Sequence, residues 1–470
     1  VMRRLLPAVI ALSLAACAPN YVLPPTTVPL TSLEPGRVQI VRDWWKGFNE
    51  PVLDALIAEA FASSPTLEVA LARVDASRAR LGISGSERLP SVDGQVGAGR
   101  ARLSEETNPL TGGRTTTVYN ASLVVNWEVD LWGRIRNQVA ASESDLLASE
   151  YGRDAITLGL AAEVANAYFQ LRSLESQQEI ARRTVESRAA SYDLRVKRFA
   201  RGITSELDVR QAESELAIAR AALPDLAEAI VRVEAALALA IGRSPESLYS
   251  RRFPQGKEIE AIPLPPTIPE GLPSDLLLRR PDIQESEAQL RATQARIAGA
   301  RTAYFPVIGL TGAYGGESLA FDNLFSGPAR AWSFAGSLAA PIFNSGRTAA
   351  QVDLATADER AALASYRSNV IRAFGEVRTA LIATRVAGDR VSARDQSVVA
   401  LRRQLYLATL RYDNGYSSYL DLLDAERSLF TAELQAVDAR RQQLAAVVDL
   451  YRALGGGWKL PAEGSSTDKP

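Results

Sequence analysis

The sequence predicts a mainly α-helical fold with a small β portion suited to crossing a membrane, built from one structural module used twice. Three observations predict it. Punctuation residues recur at fixed spacing: Pro65 and Pro90 return 216 residues later as Pro281 and Pro306, and Gly133, Gly202 and Gly242 return 213 residues later as Gly346, Gly415 and Gly455. Spacing kept over such a distance marks a duplicated unit. Residues 134–200 and 347–413 are each 67 residues without proline, enough for helices of about 100 Å at a rise of ~1.5 Å per residue. Finally, each half carries two segments that alternate with a period of two, the signature of strands.

Composition removes whole classes of function. The chain has no histidine, one cysteine (Cys17) and one methionine (Met2). Acid–base chemistry near neutral pH leans on histidine, and soft metals need Cys, His or Met, so no metal site is predicted. A formal net charge of −1 gives no electrostatic case for nucleic acid. An apolar run of about 18 residues is needed for a spanning helix, and none occurs. Any membrane crossing therefore falls to strands.

Residues 1–16 read as a signal peptide: Arg3-Arg4, a short apolar stretch from Leu5, then Leu14-Ala15-Ala16 before Cys17. Small residues before a cysteine resemble a bacterial lipoprotein processing site, with Cys17 as the acylated first residue. The plainer reading is an ordinary secretory leader with an incidental cysteine. Ala18 is not the Asp that resembles an inner-membrane retention signal, which points to the outer membrane. Residues 17–43 form a lipid-anchored tether, Pro/Thr-rich to Pro35.

The first repeat spans 44–250, opening at Trp44-Trp45. Helices are expected over 51–63 and 65–88, stopped at Leu89-Pro90. Val92 to Arg102 alternates, and 103–116 is a loop. Residues 118–130 form the clearest strand: Tyr119, Ala121, Leu123, Val125 and Trp127 fall on one face, with Asn120, Ser122 and Asn126 on the other. After the long helix, 204–241 is a second helix whose ten a/d positions from Val209 to Ala240 are all apolar. Pro224 predicts a kink within it. The linker 251–273 carries six prolines. The second repeat, 274–460, follows the same plan, with alternation at 308–314 and 332–342, a helix at 417–454 and one break in its seam, Gln443. A disordered tail is predicted over 461–470.

Lengths predict how the helices pack. A 38-residue helix leaves much of a 67-residue partner uncovered, and the 65–88 helix is close to the size of the remainder. Each long helix is thus expected between two shorter ones stacked end to end. Four strands cannot close a barrel, since the smallest membrane barrels have about eight. An open edge in lipid is forbidden. Hence strands must be pooled between copies, leaving the number of copies open. A soluble half-buried sheet would show the same alternation.

Three motifs then carry a resemblance. Gly271-Leu-Pro-Ser-Asp-Leu-Leu-Leu-Arg-Arg-Pro281-Asp-Ile, Tyr419-Leu420-Asp421-Leu-Leu-Asp424-Ala-Glu-Arg-Ser-Leu429-Phe430 and Leu450-Tyr-Arg-Ala-Leu-Gly-Gly-Gly-Trp458 resemble the TolC-type outer-membrane efflux proteins, in the lipoprotein (NodT-like) branch serving RND-type pumps. The resemblance covers about residues 40–460. It implies a homotrimer whose strands share one twelve-stranded β-barrel, an α-barrel crossing the periplasm, and passive export. Its partners would be a periplasmic adaptor (membrane-fusion) protein, an inner-membrane RND-type transporter and outer-membrane lipid. No cofactor is implied beyond the covalent lipid on Cys17.

The resemblance places the turns Gly202-Ile203-Thr204 and Gly415-Tyr416-Ser417 where the adaptor docks, although glycine also simply ends helices in left-handed geometry. Leu420, Asp421 and Asp424 match positions that constrict the periplasmic entrance. Two aspartates three apart share a helix face, and three copies would give six carboxylates around an axis, a ring that attracts cations. A solvated acidic face is the bland alternative. Asp208 and Tyr412 match positions whose hydrogen bonds hold the tip shut. Ser417 stands where some relatives carry arginine, which predicts a weaker latch. Tyr119, Trp127, Tyr314 and Trp332 are candidates for membrane aromatic girdles. Against the drug-efflux duct stand a protein-secretion duct, a lipid-anchored coiled-coil scaffold without a pore, and an enzyme using Asp/Glu pairs. The paired hairpins argue against the scaffold, and the scatter of acidic residues along helices argues against the enzyme.

Overall fold

A computed structural model of the chain describes residues 39–41, 43–107, 113–244, 246, 253–265 and 279–459. The leader, Cys17, most of the tether, parts of the linker and the tail lie outside the described residues. Within them, the chain order is β1 (Gln39–Val41), α1 (Pro51–Ser63), α2 (Pro65–Ser86), β2 (Ser91–Arg102), β3 (Thr115–Glu128), α3 (Arg134–Ala200), α4 (Glu206–Ala240), α5 (Pro281–Thr302), β4 (Val307–Ser318), β5 (Arg330–Ala339), α6 (Arg347–Asp413), α7 (Tyr419–Ala453) and β6 (Gly457–Lys459).

The two long helices have the predicted bounds, and their ends follow from local chemistry. Gly202 and Gly415 lie just past α3 and α6 with φ of +69° and +75°. Left-handed backbone there lets Ile203 N–H donate to Arg198 O at 3.0 Å and Tyr416 N–H to Arg411 O at 2.8 Å, which satisfies carbonyls the helix leaves orphaned. The following helices begin two residues later than predicted. Ser205 explains this in α4: its hydroxyl accepts from Asp208 N–H at 3.3 Å, making it the N-cap. Pro224 sits inside α4, and the helix runs unbroken through it. The predicted helix at 65–88 ends at Ser86, and the predicted strand at 118–130 spans Thr115–Glu128.

Packing departs from the simple stacking prediction. Helix α3 lies against α2 and α4 of its own repeat, as expected, but also against α5 and α7 of the other; α6 packs on α5 and α7. The main core gathers where the N-terminal segment and the linker wrap α3, α4 and α7. Trp44 stacks on Tyr451 at 5.3 Å and Phe48 meets Phe169 edge-on at 5.0 Å. Phe48, Ile57, Phe169, Leu237, Ile259 and Ile262 are fully buried there. Gln443, the break in the seam, is buried and accepts from Arg440 Nη1 at 2.5 Å. The turn after α4 closes onto the α1–α2 junction. A Cβ at Gly242 would lie 1.9 Å from the Ser63 carbonyl oxygen, so no larger residue fits.

The β portion is one antiparallel sheet of order β2-β3-β4-β5, apart from the small β1–β6 pair. Each repeat contributes a hairpin, and β3 pairs with β4 to join the repeats, with Tyr119 opposite Ser318 and Glu128 opposite Gly309. Strands β2 and β5 are left as edges. Their far ends lead to residues 103–107 and to the loop 319–329, and their near ends lead into the helices.

Candidate functional site

Residues of functional interest gather at opposite ends of the long helices. At the turn end, the two glycine turns expose apolar side chains: Ile203 is 68% and Tyr416 78% accessible. Thr204 turns inward, and its hydroxyl donates to the Asp208 carboxylate. Ser417 is half-buried, with an unpartnered hydroxyl.

Helix α7 begins beside these turns and has two faces. Tyr419, Leu422, Leu423 and Ala425 are buried, while Leu420, Asp421 and Asp424 are exposed. The structure thus brings the three candidate gate residues onto one open face. Asp421 lies in the first turn of α7, where the helix dipole favours a carboxylate.

Among the described residues no hydrogen bond joins Asp208 to Tyr412. The Asp208 carboxylate accepts from the Thr204 hydroxyl, and its backbone N–H donates to Ser205. The Tyr412 ring is held by Arg195 instead. That guanidinium lies 4.6 Å from the ring centres of both Tyr412 and Tyr419, and Arg195 is 3% accessible. The rings lie 5.6 Å apart. Two of the Arg195 nitrogens have no hydrogen-bond partner, so the aromatic faces are its principal neighbours, a cation–π arrangement. Among the described residues the Tyr412 hydroxyl takes no hydrogen bond. Arg198 adds a 3.7 Å ion pair to Asp413.

One helical turn or two further in lies an ionic node. Arg188 of α3 donates to Glu215 of α4, at 2.9 Å to its carbonyl and 3.0 Å to its carboxylate, and Arg427 of α7 donates to the same carboxylate at 2.7 Å. Glu215 is 2% accessible. A buried carboxylate needs such pairing, because losing its partner leaves an uncompensated charge. Glu426 sits nearby. Burial pushes its carboxyl above the usual range, Arg188 and Arg195 pull against that, and Glu215 adds to it. Sequence reasoning missed this junction. Arg188 and Arg195 are seven apart on α3, a core spacing, and that spacing was the available signal.

At the other end, register defines the two faces of the sheet. Directly opposed residues of an antiparallel pair share a face. One face therefore carries Val92 and Val96 of β2, Tyr119, Leu123 and Trp127 of β3, Leu310 and Tyr314 of β4, and Trp332, Phe334 and Leu338 of β5. Val96, Tyr314, Trp332, Phe334 and Leu338 are all more than half exposed. The other face carries Asp93, Gln95, Asn120, Ser122, Asn126, Thr311 and Ser333. All four candidate girdle aromatics point to the apolar face. Tyr314 and Trp332 are register partners, with Tyr119 and Trp127 four residues to either side of their row along β3. The Trp127 indole donates to Arg88 O at 3.1 Å. At the base of the sheet, Arg134 donates to Glu128 at 2.8 Å, and Trp132 stacks on Phe305 at 4.9 Å.

An uncovered apolar sheet face backed by a polar one, joined to rods of 67 residues, defines a class: an outer-membrane duct with helical extensions. The family model described as "Outer membrane efflux protein" matches residues 56–243 and 272–456, one match per repeat. The chain belongs to the outer membrane efflux protein family. The solvent efflux pump outer membrane protein SrpC of Pseudomonas putida is 35% identical over 413 residues, covering 88% of this chain and 87% of the relative. The cation efflux system protein CusC of Escherichia coli is 31% identical, covering 97% and 99%. The crystal structure of the Campylobacter jejuni CmeC outer membrane channel superposes with a TM-score of 0.88 at 26% identity, covering 94% of this chain and 95% of the other. The chain is accordingly an outer-membrane efflux component whose helical part lies in the periplasm, and its family consists of transport ducts.

Proposed function

We propose that the chain is the passive outer-membrane duct of a tripartite efflux pump, working as a homotrimer that exports small toxic molecules. The observation that carries this is the sheet: four strands with one apolar and one polar face, both edges unpaired. Three copies would supply twelve strands, enough for a closed wall with the polar face lining the bore. The glycine turns with Ile203, Thr204, Tyr416 and Ser417 would receive a periplasmic adaptor, which links the duct to an inner-membrane RND-type transporter. Their exposed apolar side chains support that reading. Cys17 would carry the lipid anchor. The transporter would choose the cargo, a division supported by relatives named for solvents and for cations on the same duct.

The exposed face of Leu420, Asp421 and Asp424 would form the periplasmic gate, a ring of carboxylates that admits and binds cations. Planar-bilayer recording tests both ideas. The wild-type protein should pass little current and favour cations; Asp421→Ala/Asp424→Ala should conduct several-fold more with weaker cation preference. Unchanged traces would remove the gate, and a complete lack of current from both proteins would remove the duct.

A further inference from the structure

We propose that the β4–β5 loop, residues 319–329, is a foot that inserts among the acyl chains of the outer leaflet, beside the sheet rather than above it. The inference rests on reading the apolar sheet face as the lipid-facing one.

Glycine and ring contacts fix the side on which the loop lies. Gly316 is opposite Ala121 and so belongs to the apolar face. A Cβ there would lie 2.2 Å from the Leu324 carbonyl oxygen, so the loop folds down over that face and needs glycine beneath it. Tyr119, on the same face, meets the Phe321 ring edge-on at 5.7 Å. Leu324 is buried under the fold-back at 3%, which leaves Leu319 at 69%, Phe321 at 62% and Phe325 at 84% pointing away.

The loop's backbone suits an apolar setting. Irregular backbone in lipid is tolerated only when its polar groups are satisfied internally. Here successive turns satisfy part of the backbone: Asn323 N–H donates to Ala320 O, Leu324 N–H to Phe321 O, Ser326 N–H to Asn323 O and Ala329 N–H to Ser326 O, all within 3.2 Å, and Ala320 N–H donates to the Ser318 hydroxyl at 3.2 Å. The first-repeat loop contrasts at the same end of the sheet, with Ser104, Glu105, Glu106 and Thr107 exposed.

Height gives the loop a purpose. From the Trp127 row to Tyr119 is eight residues along β3, about 26 Å at ~3.3 Å per residue. With a tilt of about 40° that is roughly 20 Å of height, short of the ~25 Å apolar band of an outer-membrane barrel. Folded back beside Gly316 and Tyr119, the exposed Leu319, Phe321 and Phe325 widen the apolar surface at this upper end, at the depth where acyl chains meet head groups.

A nitroxide on Phe325→Cys, in full-length protein carrying Cys17→Ser and reconstituted in bilayers, tests this by its collisions with oxygen and with a water-soluble nickel chelate. Labels on Leu338→Cys and Glu106→Cys serve as references. All three sites are exposed, so labelling disturbs no packing. The Phe325 label should favour oxygen, as the Leu338 label does, and the Glu106 label should favour nickel. Phe325 reading like Glu106 while Leu338 reads lipid would overturn the foot alone. Spin–spin broadening at Phe325 would overturn it by showing that the loop packs on another copy. A Leu338 label that itself favours nickel would overturn the lipid-facing sheet, and the foot with it.

Discussion

Helices α3 and α6 have the same length and the same place in their repeats, and their surroundings differ. Ala141 and Leu354 are equivalent positions; the alanine is 2% accessible and the leucine 63%. Phe169 and Ile382 are equivalent; the phenylalanine is 0% accessible and the isoleucine 46%. Helix α3 is enclosed by elements of both repeats, whereas α6 has α5 and α7 on one side and open apolar surface on the other. Duplication thus gave two equal rods, and only one finds its full complement of neighbours within its own chain. The difference supports the proposed homotrimer, in which another copy would cover the second rod, and it agrees with a sheet that has two unpaired edges.

The sharpest way to break this comparison is to replace the two equivalent side chains. Phe169→Ala should cost about 3–5 kcal/mol of chain stability, the usual price of emptying a core aromatic site, and should lower the denaturation midpoint of the isolated chain. Ile382→Asp should leave that midpoint nearly unchanged and instead dissociate the oligomer, read by light scattering in detergent. Equal effects on both measurements would mean that the two helices are alike after all.

A smaller effect is expected where α3 grips the second repeat through Arg195. A cation–π contact is worth about 0.5–2 kcal/mol. Arg195→Gln should therefore raise basal channel opening by up to about tenfold, a factor worth ~1.4 kcal/mol. Tyr412→Phe keeps the ring and should have no effect. The reverse pattern would restore a latch made through the tyrosine hydroxyl.

The comparison should vanish at the glycine turns, where the repeats have the same geometry. At both Gly202 and Gly415 an added Cβ meets nothing within 4 Å. Alanine there pays only for left-handed backbone, about 1–2 kcal/mol. The thermal midpoint should fall by the same amount in Gly202→Ala and Gly415→Ala; unequal shifts would expose a difference between the tips.

The smallest effect concerns acidity. Burial holds Glu426 above the ordinary carboxylate range, so folding favours its protonated form. That increment is fully present below the unfolded value of about 4.3 and is lost as pH rises through the raised folded value. Amide exchange near the α3–α7 junction should be better protected at the acid end of this window than above it, after correction for intrinsic rates. Glu426→Gln should flatten the dependence, and an unaltered slope would assign it to another group.

Much of the fold was legible because proline, glycine and periodicity are local signals. The 67-residue helices, the hairpins and the polar and apolar faces of Tyr119 to Trp127 all follow from them. What escaped depends on contacts far apart in sequence. That α5 leans on α3 across the repeats is invisible to helix lengths. Capping by Ser205 moved a boundary expected closer to the glycine turn. In the candidate site, the exposed face of Leu420, Asp421 and Asp424 followed from spacing and resemblance. Arg195 did not, because an arginine reads as a surface residue until tyrosines from two other helices enclose it. The fold-back of residues 319–329 was equally hidden, since nothing in a loop's composition says on which side of a sheet it lies.

The pairing of β3 with β4 leaves one outer strand from each half of the gene product. Strand directions alternate across the four, so in the proposed homotrimer the last strand of one copy would meet the first strand of the next in the antiparallel sense with all rods on the same side of the membrane. Joining two like edges in that sense would send the rods to opposite sides. An even strand number therefore acts as a parity rule: copies on one side of the membrane would add head to tail around a circle, and face-to-face pairs would be excluded by the direction of the chain itself.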